Sequence, residues 1–210
     1  MSGAGGRMAP MPTGRDHLAA LVEPLAALQA DVDRGDGWGR HLAQVLQGGG
    51  RVLAAGNGGS AAQAQHLTSE LVGRYRDDRP AFSAIALHAE TSALTAVVND
   101  YGAAALFSRG VEAHGRPGDV LVALSTSGSS RNVLAAVEAA RLRGMTTWAL
   151  TGRAPNPLAA CCDDAVCVDA RATATVQEVH QIVVHLLCAA FDVTVGAAPP
   201  VSRDGQRVSR

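Results

Sequence analysis

The 210-residue sequence predicts an α/β fold, a three-layer α/β/α sandwich with a five-stranded parallel sheet and N-terminal helices preceding it. Three observations carry this expectation. Five short apolar runs alternate with segments of helical periodicity, the order that builds βαβ units. The runs are apolar throughout, as strands covered on both faces are. The two loops richest in glycine and serine follow apolar runs, and open parallel sheets bind ligands beyond the carboxyl ends of their strands.

Each element can be justified in order. Residues 1–14, which begin MSGAGGRMAPMP, are mostly small and contain no apolar core, so they read as a disordered lead-in and not as a signal peptide. Residues 15–195 are expected to form one domain. Leu18, Leu21, Leu25 and Leu28 recur at helical spacing, and His41, Leu42, Val45 and Leu46 continue the pattern. RGDGWG at 34–39 is expected to separate two helices. RVLAA at 51–55, AFSAIAL at 81–87, DVLVALS at 119–125, TTWALTG at 146–152 and DAVCVDA at 164–170 are the five strands. Helices are expected up to about residue 72, over 91–98, over 103–114, over 132–144 with Gly144 closing it, and from about 174 to 195. The last fifteen residues, 196–210, carry prolines and arginines and read as a disordered tail.

Composition excludes several classes. All 18 basic residues are arginine, which removes Schiff-base aldolases, pyridoxal-phosphate enzymes and P-loops, since each needs a lysine amine. A net charge of -1 and 3% aromatic residues give no footprint for nucleic acid or an anionic membrane. No run of 18 apolar residues occurs, so no membrane span is expected. Cys161, Cys162, Cys167 and Cys188 form no CxxC pair and are expected as free thiols of a cytoplasmic protein.

Four segments carry chemistry. STSGSS at 125–130 leaves an apolar strand and enters a helix, so Ser125, Thr126, Ser127 and Ser130 offer hydroxyls beside free helix amides. That is an anion site, suited to a sugar phosphate in the absence of a Walker lysine. GNGGS at 56–60 has the same placement and lets the backbone approach a small ligand closely. Its GxGG pattern is not the dinucleotide fingerprint. His66 and Glu70, four residues apart on a helix, share a face and can chelate a metal or act as an acid–base pair. QEVHQIVVH at 177–185 places Gln177, Glu178, His180, Gln181 and His185 on an otherwise apolar helix. Imidazole, carboxylate and amide together suit zinc better than calcium. Helix geometry pairs Gln181 with His185, because Gln177 and His185 stand about 12 Å apart along the axis.

Taken together, GNGGSAAQAQHLTSELVGRYRDDRP, VVNDYG, the stretch FSRGVEAHGRPGDVLVALSTSGSSRNVLAAVEAARLRGM and VQEVHQIVVH resemble the phosphoheptose isomerases, members of the sugar isomerase (SIS) domain superfamily. The resemblance runs from about residue 15 to 192. It implies an aldose–ketose isomerase that converts sedoheptulose 7-phosphate to D-glycero-D-manno-heptose 7-phosphate through an enediol. It also implies a homotetramer with active sites between subunits, and one zinc per subunit. Carried over by motif, Asn57, Gly58, Gly59, Asn99, Asp100 and Gln177 line the sugar site, while Ser125, Thr126, Ser127 and Ser130 hold the phosphate. His66, Glu70, Gln177 and His185 are the implied metal ligands, with Glu70 and His185 also the catalytic pair, and Arg74 faces the same pocket. The alternatives on this fold are a non-catalytic scaffold that binds the replication initiator, another sugar-phosphate isomerase or lyase, and a sugar-phosphate-sensing regulatory domain. The first two would not need this quartet, and against the third, no DNA-binding extension or basic patch is read in the sequence.

Overall fold

The computed structural model describes residues 13–198. The lead-in up to residue 12 and the tail from residue 199 lie outside the described residues. Helix α1 (Gly14–Leu28) opens on a capping box in which Thr13 and Asp16 satisfy each other's backbone and side-chain groups. A single 3-10 turn, Gln29–Asp31, leads to α2 (Val32–Gln47). There follow β1 (Val52–Gly56), α3 (Gly59–Val72), β2 (Ala84–Ala86), α4 (Thr91–Tyr101), a 3-10 turn at Ala103–Ala105 and α5 (Ser108–His114). The chain continues through β3 (Val120–Ser125), α6 (Arg131–Leu142), β4 (Thr146–Thr151), α7 (Pro157–Cys161), β5 (Asp164–Cys167) and α8 (Thr173–Val195).

The five strands form one parallel sheet in the order β2-β1-β3-β4-β5. Side chains alternate between its faces. Val52, Ala54, Val120, Val122, Leu124, Trp148, Leu150 and Val166 pack against α2, α3 and α8. Leu53, Ala55, Leu121, Ala123 and Ala149 pack against α5, α6 and α7. This is the expected sandwich. The reversal of strand order between β1 and β3 opens a crevice at their carboxyl ends, where the two glycine- and serine-rich loops emerge.

Three expectations need correction. RGDGWG does not separate helices, because it lies inside α2. Gly39 is there because α2 crosses α8 closely, and a Cβ at Gly39 would stand 2.6 Å from that of Ala190. The five-residue α7, capped by the Asn156 side chain on the amide of Ala159, was not anticipated. The start of the expected tail is ordered, since Ala198 pairs with Asp78 in an isolated antiparallel bridge. Helix α8 is long and apolar enough by composition to span a bilayer, but ten of its residues are buried against the rest of the domain.

Candidate active site

The β3–α6 loop is fixed from below by backbone fit. Gly128 adopts φ +63°, and a side chain there would collide with Asn156. Gly152 sits against the carbonyl of Thr126 in the same way. The amide of Leu158 donates to Gly128 O at 2.9 Å. Above this seat the hydroxyls converge: Ser125 Oγ lies 3.0 Å from Ser130 Oγ and 3.5 Å from Ser127 Oγ. The N-cap residue of α6, Ser130, makes no side-chain cap bond, and the first turn holds no acid. The positive end of the helix is therefore left for an anion.

The β1–α3 loop faces it across the crevice. Gly58 has φ +54°, which favours glycine. Asn57 and Asn132 exchange two amide hydrogen bonds of 2.9 and 2.8 Å, tying this loop to the start of α6. Gly59 leaves room for the Gln177 amide, which a Cβ there would strike, and Gln63 donates to Gln177 O.

The third component is a side-chain cluster between α3 and α8. His66 Nε2 stands 3.0 Å from Glu70 Oε1 and 3.1 Å from His185 Nε2. The three groups can present ligand atoms within 4.8 Å of one another. Two donors bound at zinc distances in a tetrahedral site stand about 3.3 Å apart, so this set fits a zinc ion in both chemistry and spacing. Burial, and next the neighbouring His66, hold the His185 imidazole below the ordinary histidine value, while Glu70 acts the other way. His185 is thereby favoured in the neutral form that can ligate or accept a proton. The Tyr75 ring packs on His185 with centroids 5.4 Å apart.

The remaining sequence-derived residues separate into those that join this crevice and those that do not. Gln177 lies two turns before His185 on α8, with its amide against Gly59. The amide that reaches His185 within one chain is that of Gln181, whose Nε2 is 3.1 Å from His185 Nε2. Asn99 and Asp100 lie at the exposed end of α4 and bond to each other at 2.7 Å. Among the described residues, no hydrogen bond ties that pair to the loops. Arg74 is exposed, with no ion pair among the described residues. His180 is buried in the domain, its Nε2 3.1 Å from Thr151 O, and burial pushes it down to about 4. Asn132, Asn156 and Tyr75 escaped the sequence reading. Only Asn132, two residues past the serine loop, carried a local signal.

A family profile described as SIS domain matches residues 18–152. The phosphoheptose isomerase of Streptomyces coelicolor is 63% identical over 179 residues, covering 85% of this chain and 78% of that protein. The chain belongs to the SIS domain family, and within it to the phosphoheptose isomerases. A phosphoheptose isomerase of Thiobacillus denitrificans is 48% identical over 177 residues, covering 83% of this chain and 90% of the relative. The fold superposes on the phosphoheptose isomerase GmhA from Neisseria gonorrhoeae with a TM-score of 0.79 at 40% identity, covering 85% of this chain and 96% of that one. For the phosphoheptose isomerase from Francisella tularensis the TM-score is 0.76 at 33% identity, with 87% and 100% covered.

Proposed function

We propose that this sugar-phosphate isomerase interconverts sedoheptulose 7-phosphate and D-glycero-D-manno-heptose 7-phosphate. The observation that carries the reading is the meeting of His66, Glu70 and His185 beside a crevice that also holds a serine-lined anion loop. Ser125, Thr126, Ser127 and Ser130 hold the phosphate, and Asn57, Gly58, Gly59 and Gln177 line the path of the sugar. The phosphate thus supplies remote binding energy that places the reacting end.

Glu70 takes the proton from C1 of the ketose, giving an enediol, and returns a proton to C2. His185 moves the hydroxyl proton from O1 to O2, so the carbonyl ends at C1 and no atom is gained or lost. A zinc ion held by His66, Glu70 and His185 would supply Lewis-acid stabilisation of the oxygens as charge develops. Gln177 can join as a ligand only to an ion within reach of its amide beside Gly59, such as one shared with another subunit.

The reading includes a homotetramer in the cytoplasm. In support, Leu18 and Val22 on α1 are 66% and 64% exposed, and α4 buries no residue at all within one chain. Apolar helix faces of this kind are covered by a second copy in oligomers. All four cysteines are free thiols. Incubation with sedoheptulose 7-phosphate, with detection of an aldoheptose phosphate, tests the activity. A protein that is tetrameric and zinc-loaded yet forms none would refute it.

A further inference from the structure

The segment that leaves α3 returns to β2 over the end of α8, and one residue fastens it. The Arg79 side chain is 1% exposed. Its Nη2 donates to Glu70 O, and its Nη1 donates to Leu71 O at 2.9 Å and Gly73 O at 3.3 Å. Its Nε donates to Asp192 Oδ1 at 2.8 Å, on α8 two turns past His185. The guanidinium also lies over Phe191 and Phe82, 5.1 and 5.5 Å from their centroids. Arg76 N donates to the other Asp192 oxygen at 3.4 Å.

Helix α3 ends at Val72 with no basic residue in its last turn, so its last carbonyls need donors from elsewhere. Arg79 donates to the carbonyls of Glu70 and Leu71, beside the amides of Gly73 on Ser69 O and of Phe82 on Leu71 O, and its Nε reaches the helix that carries His185. A planar guanidinium can serve both helices at once, whereas a lysine ammonium cannot reproduce the fork.

We propose that Arg79 is a positioning residue for the reaction: by tying the carbonyl end of α3 at Glu70 to Asp192 of α8, it sets the spacing between Glu70 and His185 and holds Tyr75 against the His185 ring. This rests on the isomerase reading for its effect on turnover, but not for its effect on geometry. The hydrogen bonds of Arg79 go to backbone carbonyls and to Asp192, and none goes to the side chains of His66, Glu70 or His185. Its role is that of an outer partner that orients the groups which do.

The test uses three variants of the full chain. Arg79→Lys keeps the charge beside Asp192 and loses the fork. The double variant Arg79→Met with Asp192→Leu removes both charges, so neither is left buried without a partner. Val111→Ala, in the core on the far side of the sheet, serves as a control for general destabilisation.

In both Arg79 variants kcat and zinc affinity, the latter read by chelator competition, should fall about 10- to 100-fold, while KM for sedoheptulose 7-phosphate stays within about threefold. The ring-current shift that Tyr75 imposes on the His185 ring proton, read by NMR of histidine-labelled protein without metal or substrate, should collapse. Val111→Ala should lower the melting temperature and leave all three readouts in place. The inference is overturned if the ring shift survives in Arg79→Lys. It is equally overturned if the double variant keeps wild-type kcat and zinc affinity, or if Val111→Ala reproduces the loss. If wild-type protein neither binds zinc nor turns over, the isomerase reading fails, and the ring shift still decides whether Arg79 sets the geometry.

Discussion

The serine loop and the histidine–carboxylate cluster are two parts of the proposed site but are built in opposite ways. The loop is local: five of six consecutive residues supply its hydroxyls, and close contacts at Gly128 and Gly152 fix its shape. The cluster is assembled from a distance, since His66 and His185 are 119 residues apart and meet only because α3 and α8 pack side by side. The loop is therefore set by its own strand and helix and by the β4–α7 connection that seats it. The cluster is only as well set as the docking of two helices. A site that binds an anion tolerates small displacements, whereas proton transfer loses rate steeply with them.

The two halves can be broken separately. Glu70→Gln keeps size and removes the base, so kcat should drop by about 10²–10⁴ with the fold and KM largely retained. Steady-state kinetics beside a melting curve check this, and a folded variant of full activity would end the mechanism. Ser127→Asp places a negative charge in the anion seat and should raise KM for the phosphorylated substrate at least tenfold, by the order of one like-charge contact in a partly screened site. A KM equal to that of the wild type would put the phosphate elsewhere.

Gly128→Ala strains a left-handed residue and drives a methyl into Asn156. It should cost about 1–3 kcal/mol, visible as a lowered melting temperature, with the zinc affinity of the histidine–carboxylate cluster unchanged. Loss of both together would show that the two regions are not independent.

A further test is one of pH. His180 is held at about 4 by burial and is protonated nearer 6.5 once unfolded. Between these values the unfolded chain binds the extra proton, so stability is full above about pH 6.5 and is lost as pH falls towards 4, by roughly 3 kcal/mol at most. His180→Gln should flatten that slope in denaturation curves recorded from pH 7 to 4.5. A slope as steep as that of the wild type would assign it to other groups.

The same contrast explains what could be read from the sequence. The serine loop, the glycine loop and all five strands were legible because each is written in consecutive residues. Gly35 and Gly39 misled, since a glycine that breaks a helix and one that lets another helix approach look alike until α8 is seen against α2. His66 and Glu70 were visible as a pair four residues apart, but nothing local says that His185 joins them. The amide nearest His185 followed from helix geometry, which favours Gln181, whereas the motif favours Gln177. Their two placements, one at His185 and one at Gly59, follow from the two turns of helix between them. Asn156 could not be read at all, because its role depends on the bare Cα of Gly128 above it.

The strand lengths have a consequence for behaviour in a crowded cell. The inner strands β1, β3 and β4 run five or six residues; β1 and β3 are almost wholly apolar and β4, TTWALT, adds β-branched threonines, a composition that stacks into intermolecular sheets when exposed. The two edges are β2 and β5, of three and four residues, and β5 begins and ends on the half-exposed Asp164 and Cys167. A neighbouring chain that tried to extend the sheet would find a template too short to hold it. The adhesive segments are kept inside, and each edge offers only a stub, so self-association by sheet extension is discouraged while helix faces remain free to assemble.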